Sequence, residues 1–189
     1  GKAAPPADAR AAEATLTRAL RSLPTAEQAK LTDRLTKTLA AVPDAIPTAK
    51  QPLKGGSPGR LALGLRTKLA LDLPADRLTA DPAAVAFPGA VAKDAPRVKG
   101  RTVTVRTGVP GYVCDGVGVS AKADVWHSTG VYAVPGEVVR VSVPAAFAGK
   151  GLGVRIGAHT DELWHLDRWE RAPQVSRWFP LAAPATPAA

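Results

Sequence analysis

Between Trp126 and Leu181 the chain alternates apolar and polar residues with a period of two, a pattern that suits strands and little else. After Gly136, Val139, Val141 and Val143 alternate with Arg140 and Ser142. After Gly151, Leu152, Val154, Ile156 and Ala158 alternate with Gly153, Arg155 and Gly157. Alternation of this kind turns one face of a strand to a core and the other to water. Pro135-Gly136 and Gly149-Lys150-Gly151 cut the runs with turn chemistry. The same stretch holds all four Trp and all three His (His127, His159, His165). An antiparallel β-domain is predicted here.

Upstream the period changes. Asp8 is placed to cap a helix from Ala9 to Leu23, with Ala12, Leu16, Leu20 and Leu23 on one stripe. Pro24 breaks it, and Thr25 opens a second helix with Gln28 in the reciprocal capping position. Leu31, Leu35, Leu39 and Val42 give that helix a narrow apolar face, which Pro43 ends. The tight joint predicts a helical hairpin over residues 1–45, with docking of a partner on its stripe as the alternative. Residues 46–60 read as a Pro/Gly-rich linker. Leu61 to Leu73 alternates Leu with small or charged residues and is strand-like, while 74–96 reads as loop with short helical turns at Ala75–Leu78 and Pro82–Phe87. RTVTVR at 101–106 and a Gly-broken run from Tyr112 to Ser120 supply further strands. The fold predicted is mainly β: a β-sandwich-like domain over 61–182, with its core motifs in 98–181, after a short helical hairpin and before a tail at 183–189.

With 25 basic and 16 acidic residues the net charge is +9. Residues 1–100 hold 16 basic against 9 acidic side chains, so 16 − 9 = +7 lies in the front half. These charges are scattered singly with no aromatics between them, which describes a solvated surface rather than a nucleic-acid interface. Cys114 is the single cysteine, so no disulfide forms within the chain. No apolar run reaches the length of a membrane span. GKAAPPADAR lacks the apolar region of a signal peptide, as a trimmed mature N-terminus also would.

Chemistry is sparse. His159, Asp161, His165 and Asp167 are the best local set for a metal, yet their spacing matches no fixed ligand motif, and bracing of a turn through hydrogen bonds is the simpler reading. HExxH, a G-x-S-x-G elbow and phosphate-binding Gly loops do not occur in the sequence. Asp115 beside Cys114 would raise a thiol pKa, which disfavours a nucleophile. No catalytic or metal-ligating residue is assigned. The remaining candidate is a ligand surface of Trp164, Trp169, Arg168 and Arg171, near Trp178 and Arg177. Trp in a chain this poor in aromatics is more often core; if a pair is exposed it is Trp164 and Trp169, which would stack on a sugar or peptide while Arg pairs with carboxylates such as sialic acid.

The motifs STGVYAVPGE (128–137), VSVP (141–144), VRIGAHTD (154–161) and WERAPQVSRWFPL (169–181), with FPG at 87–89 ahead of them, resemble the enhancin-like, mucin-targeting zinc metallopeptidases of peptidase family M-60. The likeness covers about half the chain. It implies a β-sandwich-like domain leading into a zinc catalytic domain with HExxH and a later Glu, an enzyme secreted or held at the cell surface and directed at mucin-type glycoproteins. On that view the catalytic domain lies past Ala189, this chain is inactive alone and holds no cofactor, and zinc belongs to the catalytic domain. The matching residues Tyr132, Pro135, Gly136, Arg155, His159 and Asp161 are then structural: Pro135-Gly136 shapes a hairpin turn, and His159 with Asp161 locks the turn after Ala158. The partners implied are that catalytic domain and a glycoprotein or O-glycan. The alternative is a stand-alone glycan- or glycoprotein-binding β-module without peptidase activity.

Overall fold

The computed structural model of the protein describes residues 7–92, 94–106, 113–114, 117–118, 126–157 and 160–188. They divide into two units, one of Gly1–Ala90 with Ala133–Ala189 and one of Val91–Tyr132. In chain order the first unit begins with helices α1 (Ala7–Arg21) and α2 (Thr25–Ala41), strand β1 (Leu53–Lys54) and helix α3 (Pro58–Asp72). The second unit contributes β2 (Val113–Cys114) and β3 (Val117–Gly118). The first unit then resumes with β4 (Val139–Ser142), β5 (Gly153–Gly157), β6 (Arg168–Trp169), β7 (Ser176–Pro180) and β8 (Ala185–Ala188).

The largest departure from expectation is α3, which occupies the segment read as a strand. Its Leu residues alternate because the helix is buried nearly all round, with Leu63, Leu65, Leu69 and Leu73 all in the core. A short apolar run cannot separate that case from a buried strand. The start signals were present: Ser57 accepts from the Arg60 N–H at 3.3 Å as N-cap, and Pro58 fills the first turn. Both α1 and α2 pack on α3, which makes a three-helix group of the expected hairpin. Gln28 does not close a capping box on α2. Its amide donates to the carbonyls of Arg21 and Leu23 at 2.9 and 2.8 Å, closing the end of α1. At the other end of α3, Arg177 donates to the Ala70 carbonyl at 2.9 Å, a cation where the helix dipole is negative.

The strands form four two-stranded antiparallel ladders, β1–β6, β2–β3, β4–β8 and β5–β7. No sandwich is formed among the described residues, so the fold is mixed α/β rather than mainly β. The segment read as a tail supplies β8, in which Ala188 is opposite Val139 and buried. Three of the four residues of ATPA, the two Ala and Pro187, disfavour a strand; pairing with distant β4 decides it. Leu39, Leu53, Leu63, Ala83, Trp169 and Ala172 make the main core, and Ala75, Phe179 and Ala188 a smaller one. 3-10 turns at Ala75–Arg77 and Pro82–Val85 fall where short helical turns were expected.

In the second unit, RTVTVR at 101–106 joins no ladder among the described residues, and Val105 is exposed. Alternation selects a face only where a neighbouring strand takes up the backbone hydrogen bonds. Within the expected Tyr112–Ser120 strand, the described residues form the paired segments β2 and β3; the rest of that stretch lies outside the described residues. The side chain of Cys114 lies outside the described residues.

Candidate functional site

The expected ligand surface is divided by the fold. Trp169 is 1% exposed and cannot stack on a ligand. It sits opposite Leu53 in the β1–β6 ladder, donates from Nε1 to the Leu163 carbonyl at 2.8 Å, and carries the Arg60 guanidinium 4.0 Å from its ring centre. Gly64 of α3 lies against the same ring, where an added Cβ would come to 3.4 Å. Exposure of Trp169 is therefore corrected: pairing with β1 draws it under α3, where the largest apolar side chain fills the most space.

Trp164 stays half-buried at the surface. It stands edge-on to Trp169 with ring centres 5.6 Å apart and an interplanar angle of 83°, and its Nε1 donates to Gln174 Oε1 at 3.3 Å. It forms one wall of an open cleft of about 650 Å³, whose other walls are α1 and α3. On α1, Ala14, Thr17, Arg18 and Arg21 line it, a single stripe at helical spacing. Ser22, Lys68 and Leu71 complete the lining. Lys68 Nζ lies 5.0 Å from the Trp164 ring centre and 3.2 Å from Glu13 Oε1. Arg21 forms a fork with both carboxylate oxygens of Asp72, one at 2.6 Å, and this hydrogen bond raises its pKa further. The cations of this cleft were missed because they come from scattered positions in the helical half; the Arg18, Arg21 spacing was the available signal.

Arg168 and Arg171 face a second cleft of about 560 Å³, with Phe87, Leu163, Leu166 and Glu170. Arg168 pairs with Glu170 at 2.9 Å, and the Arg171 guanidinium lies 5.4 Å from the Phe87 ring. Burial pushes the Arg171 pKa down, opposed by the nearby charge of Asp161. The four residues expected to act together thus separate into one core side chain and two clefts.

The β5–β7 ladder has its own polar face. Gly153, Arg155 and Gly157 stand opposite Pro180, Trp178 and Ser176, and directly opposed residues share a face. The Arg155 guanidinium is 5.6 Å from the Trp178 ring centre, and its Nη1 donates to Ser176 Oγ at 3.4 Å. Trp178, 41% exposed, lies flat across Gly153, where an added Cβ would fall 2.0 Å from the ring. Gly153→Val is expected to lift the indole off the ladder at a cost of about 1–3 kcal/mol. Tryptophan fluorescence should shift to the red with a lower melting temperature; an unchanged spectrum would refute this seating of Trp178.

Among the residues assigned structural roles, Tyr132 is exposed. Pro135-Gly136 forms a turn that leads into β4 rather than a hairpin, with Glu137 N–H donating to the Val134 carbonyl at 3.1 Å and Gly136 at φ +81°. Gly136 is seated on Ala80, whose backbone N would be 3.0 Å from an added Cβ. Asp161 is exposed, and His159 lies outside the described residues, as does any lock between them. Among the described residues no three His, Cys, Asp or Glu side chains are gathered to hold a metal ion. No helix among the described residues is long and apolar enough to cross a membrane.

Residues 96–187 match the N-terminal domain of M60-like peptidases. Among curated proteins, TRPM8 channel-associated factor 2 of Homo sapiens is 45% identical over 53 residues, 28% of this chain and 6% of that protein. TRPM8 channel-associated factor homologs of Xenopus laevis and Danio rerio are 36% and 39% identical over 62 and 56 residues, 33% and 30% of this chain and 7% and 6% of theirs. The chain spans about 6–7% of the length of these relatives. No solved structure matches it. Over residues 96–187, then, the chain carries the N-terminal domain of the M60-like peptidase family.

Proposed function

We propose that this chain is the non-catalytic N-terminal region of a secreted or cell-surface zinc metallopeptidase that acts on mucin-type glycoproteins. The observation that carries the reading is the match of 96–187 to the N-terminal domain of M60-like peptidases. In this role the chain holds the glycoprotein, and a following catalytic domain with HExxH and its zinc cuts it. The natural gene product is expected to contain stoichiometric zinc and to cleave O-glycosylated mucin, with cleavage lost to a chelator.

A stand-alone glycan- or glycoprotein-binding module is the second reading. It is favoured by the relatives, which are named for association with a channel and not for cleavage. A metal-free product that retains mucin without cutting it would decide for this alternative. A product that neither binds nor cuts mucin would overturn both.

A further inference from the structure

We infer that the cleft between α1, α3 and Trp164 is a binding site for an acidic saccharide, a sugar ring carrying a carboxylate or sulfate. The inference rests on the reading of this chain as a glycoprotein-holding region and names the part of the glycan that it takes. Three features of the cleft converge on that chemistry. Its lining includes three cations, Arg18, Arg21 and Lys68, and no acidic residue. Two of the three are already neutralised, Arg21 by Asp72 and Lys68 by Glu13. Arg18 is exposed and has no ion pair among the described residues, so the cleft is left with one uncompensated guanidinium, whose planar fork matches a carboxylate.

Trp164 supplies the second feature. Its indole is fixed by the Trp169 edge contact and by Gln174, so little freedom is lost when the C–H face of a sugar lies on it. Lys68 Nζ lies over the same ring, 5.0 Å from its centre, so an acidic sugar on that face meets the ammonium as well as the indole. The third feature is hydroxyl chemistry. Ser22 Oγ and Thr17 Oγ1 donate their protons to the carbonyls of Ala19 and Glu13 at 2.7 and 2.8 Å, which leaves their oxygens as acceptors for sugar hydroxyls. The volume of about 650 Å³ lies within the range of small-molecule sites.

The test is calorimetric titration of the whole chain with sialyllactose, sulfated lactose and lactose at low and high salt. One or both acidic sugars are expected to bind at least about tenfold more tightly than lactose, with the preference shrinking as salt rises. The two acidic probes separate carboxylate from sulfate recognition. Arg18→Glu, on an exposed side chain, is expected to remove the preference without changing the melting temperature. Trp164→Phe, which keeps an aromatic wall, is expected to weaken all three sugars. Equal affinity for lactose and the acidic sugars, no binding of any of them, or indifference to Arg18→Glu would overturn the assignment. Mucin retention that survives both Arg18→Glu and desialylation would refute this cleft while the glycoprotein-holding reading stands. Loss of mucin retention in the unaltered chain would refute both.

Discussion

Trp169→Ala is expected to destabilise the first unit by about 3–5 kcal/mol, the range for removing a large aromatic from a packed core. Several contacts fail together. The cavity would open between β1 and α3, because the ring lies against Leu53, Leu63 and Gly64. The Leu163 carbonyl would lose its 2.8 Å donor, and the Arg60 guanidinium would lose the ring it covers. Trp164 would lose the edge that holds it upright beside the cleft. Trp169→Phe keeps the packing but not the N–H, so its cost should fall well below that of Ala. Urea unfolding of the three proteins checks this. A loss under about 1 kcal/mol for Trp169→Ala would mean that Trp169 does not organise this core. If the variant stays folded, acidic-sugar binding should also weaken, because the indole of Trp164 is no longer fixed.

The sequence made the ends of elements easier to read than their partners. Pro24, Pro43, Pro135-Gly136 and Gly149-Lys150-Gly151 all mark real breaks, because a missing N–H or a positive φ acts locally whatever the fold. The β5 alternation was legible for the same reason: Gly153 and Gly157 exist to let Trp178 and the Val175–Ser176 backbone approach. What failed was whatever depended on burial by distant elements. The Leu pattern of α3 reflects surroundings on all sides, β8 exists through β4, and Trp169 is covered by a helix placed more than a hundred residues earlier. The cleft was illegible for a related reason. Arg18 and Arg21 look like ordinary solvated charges until α3 brings Lys68 alongside and the turn before β6 delivers Trp164.

Asp81→Ala tests the partner of Arg66, the most deeply buried cation among the described residues, and is expected to cost about 3 kcal/mol, the low end for stranding half of a buried ion pair. Arg66 is 5% exposed in the middle of α3. Its Nη1 meets Asp81 Oδ2 at 2.5 Å, Nη2 donates to the Thr79 carbonyl at 2.8 Å, and Nε donates to Thr36 Oγ1 of α2 at 3.3 Å. Removal of Asp81 leaves a buried guanidinium with neutral acceptors alone. It also removes the carboxylate oxygen that caps the Pro82–Val85 turn, which accepts from Ala83 N–H at 2.9 Å. The low end applies because the Asp81 side chain is 21% exposed and water can reach the gap. Arg66→Met combined with Asp81→Ala should be more stable than Asp81→Ala alone, since an apolar side chain of similar length carries no desolvation cost. A double-mutant cycle by thermal unfolding reads the coupling directly, and additive single changes would show that the pair is not coupled. The consequence reaches the family-matched segment. Asp81 anchors the loop whose neighbour Ala80 seats the Gly136 turn, so loosening it should also loosen the entry to β4. Faster amide exchange across 134–142 in Asp81→Ala is the expected sign.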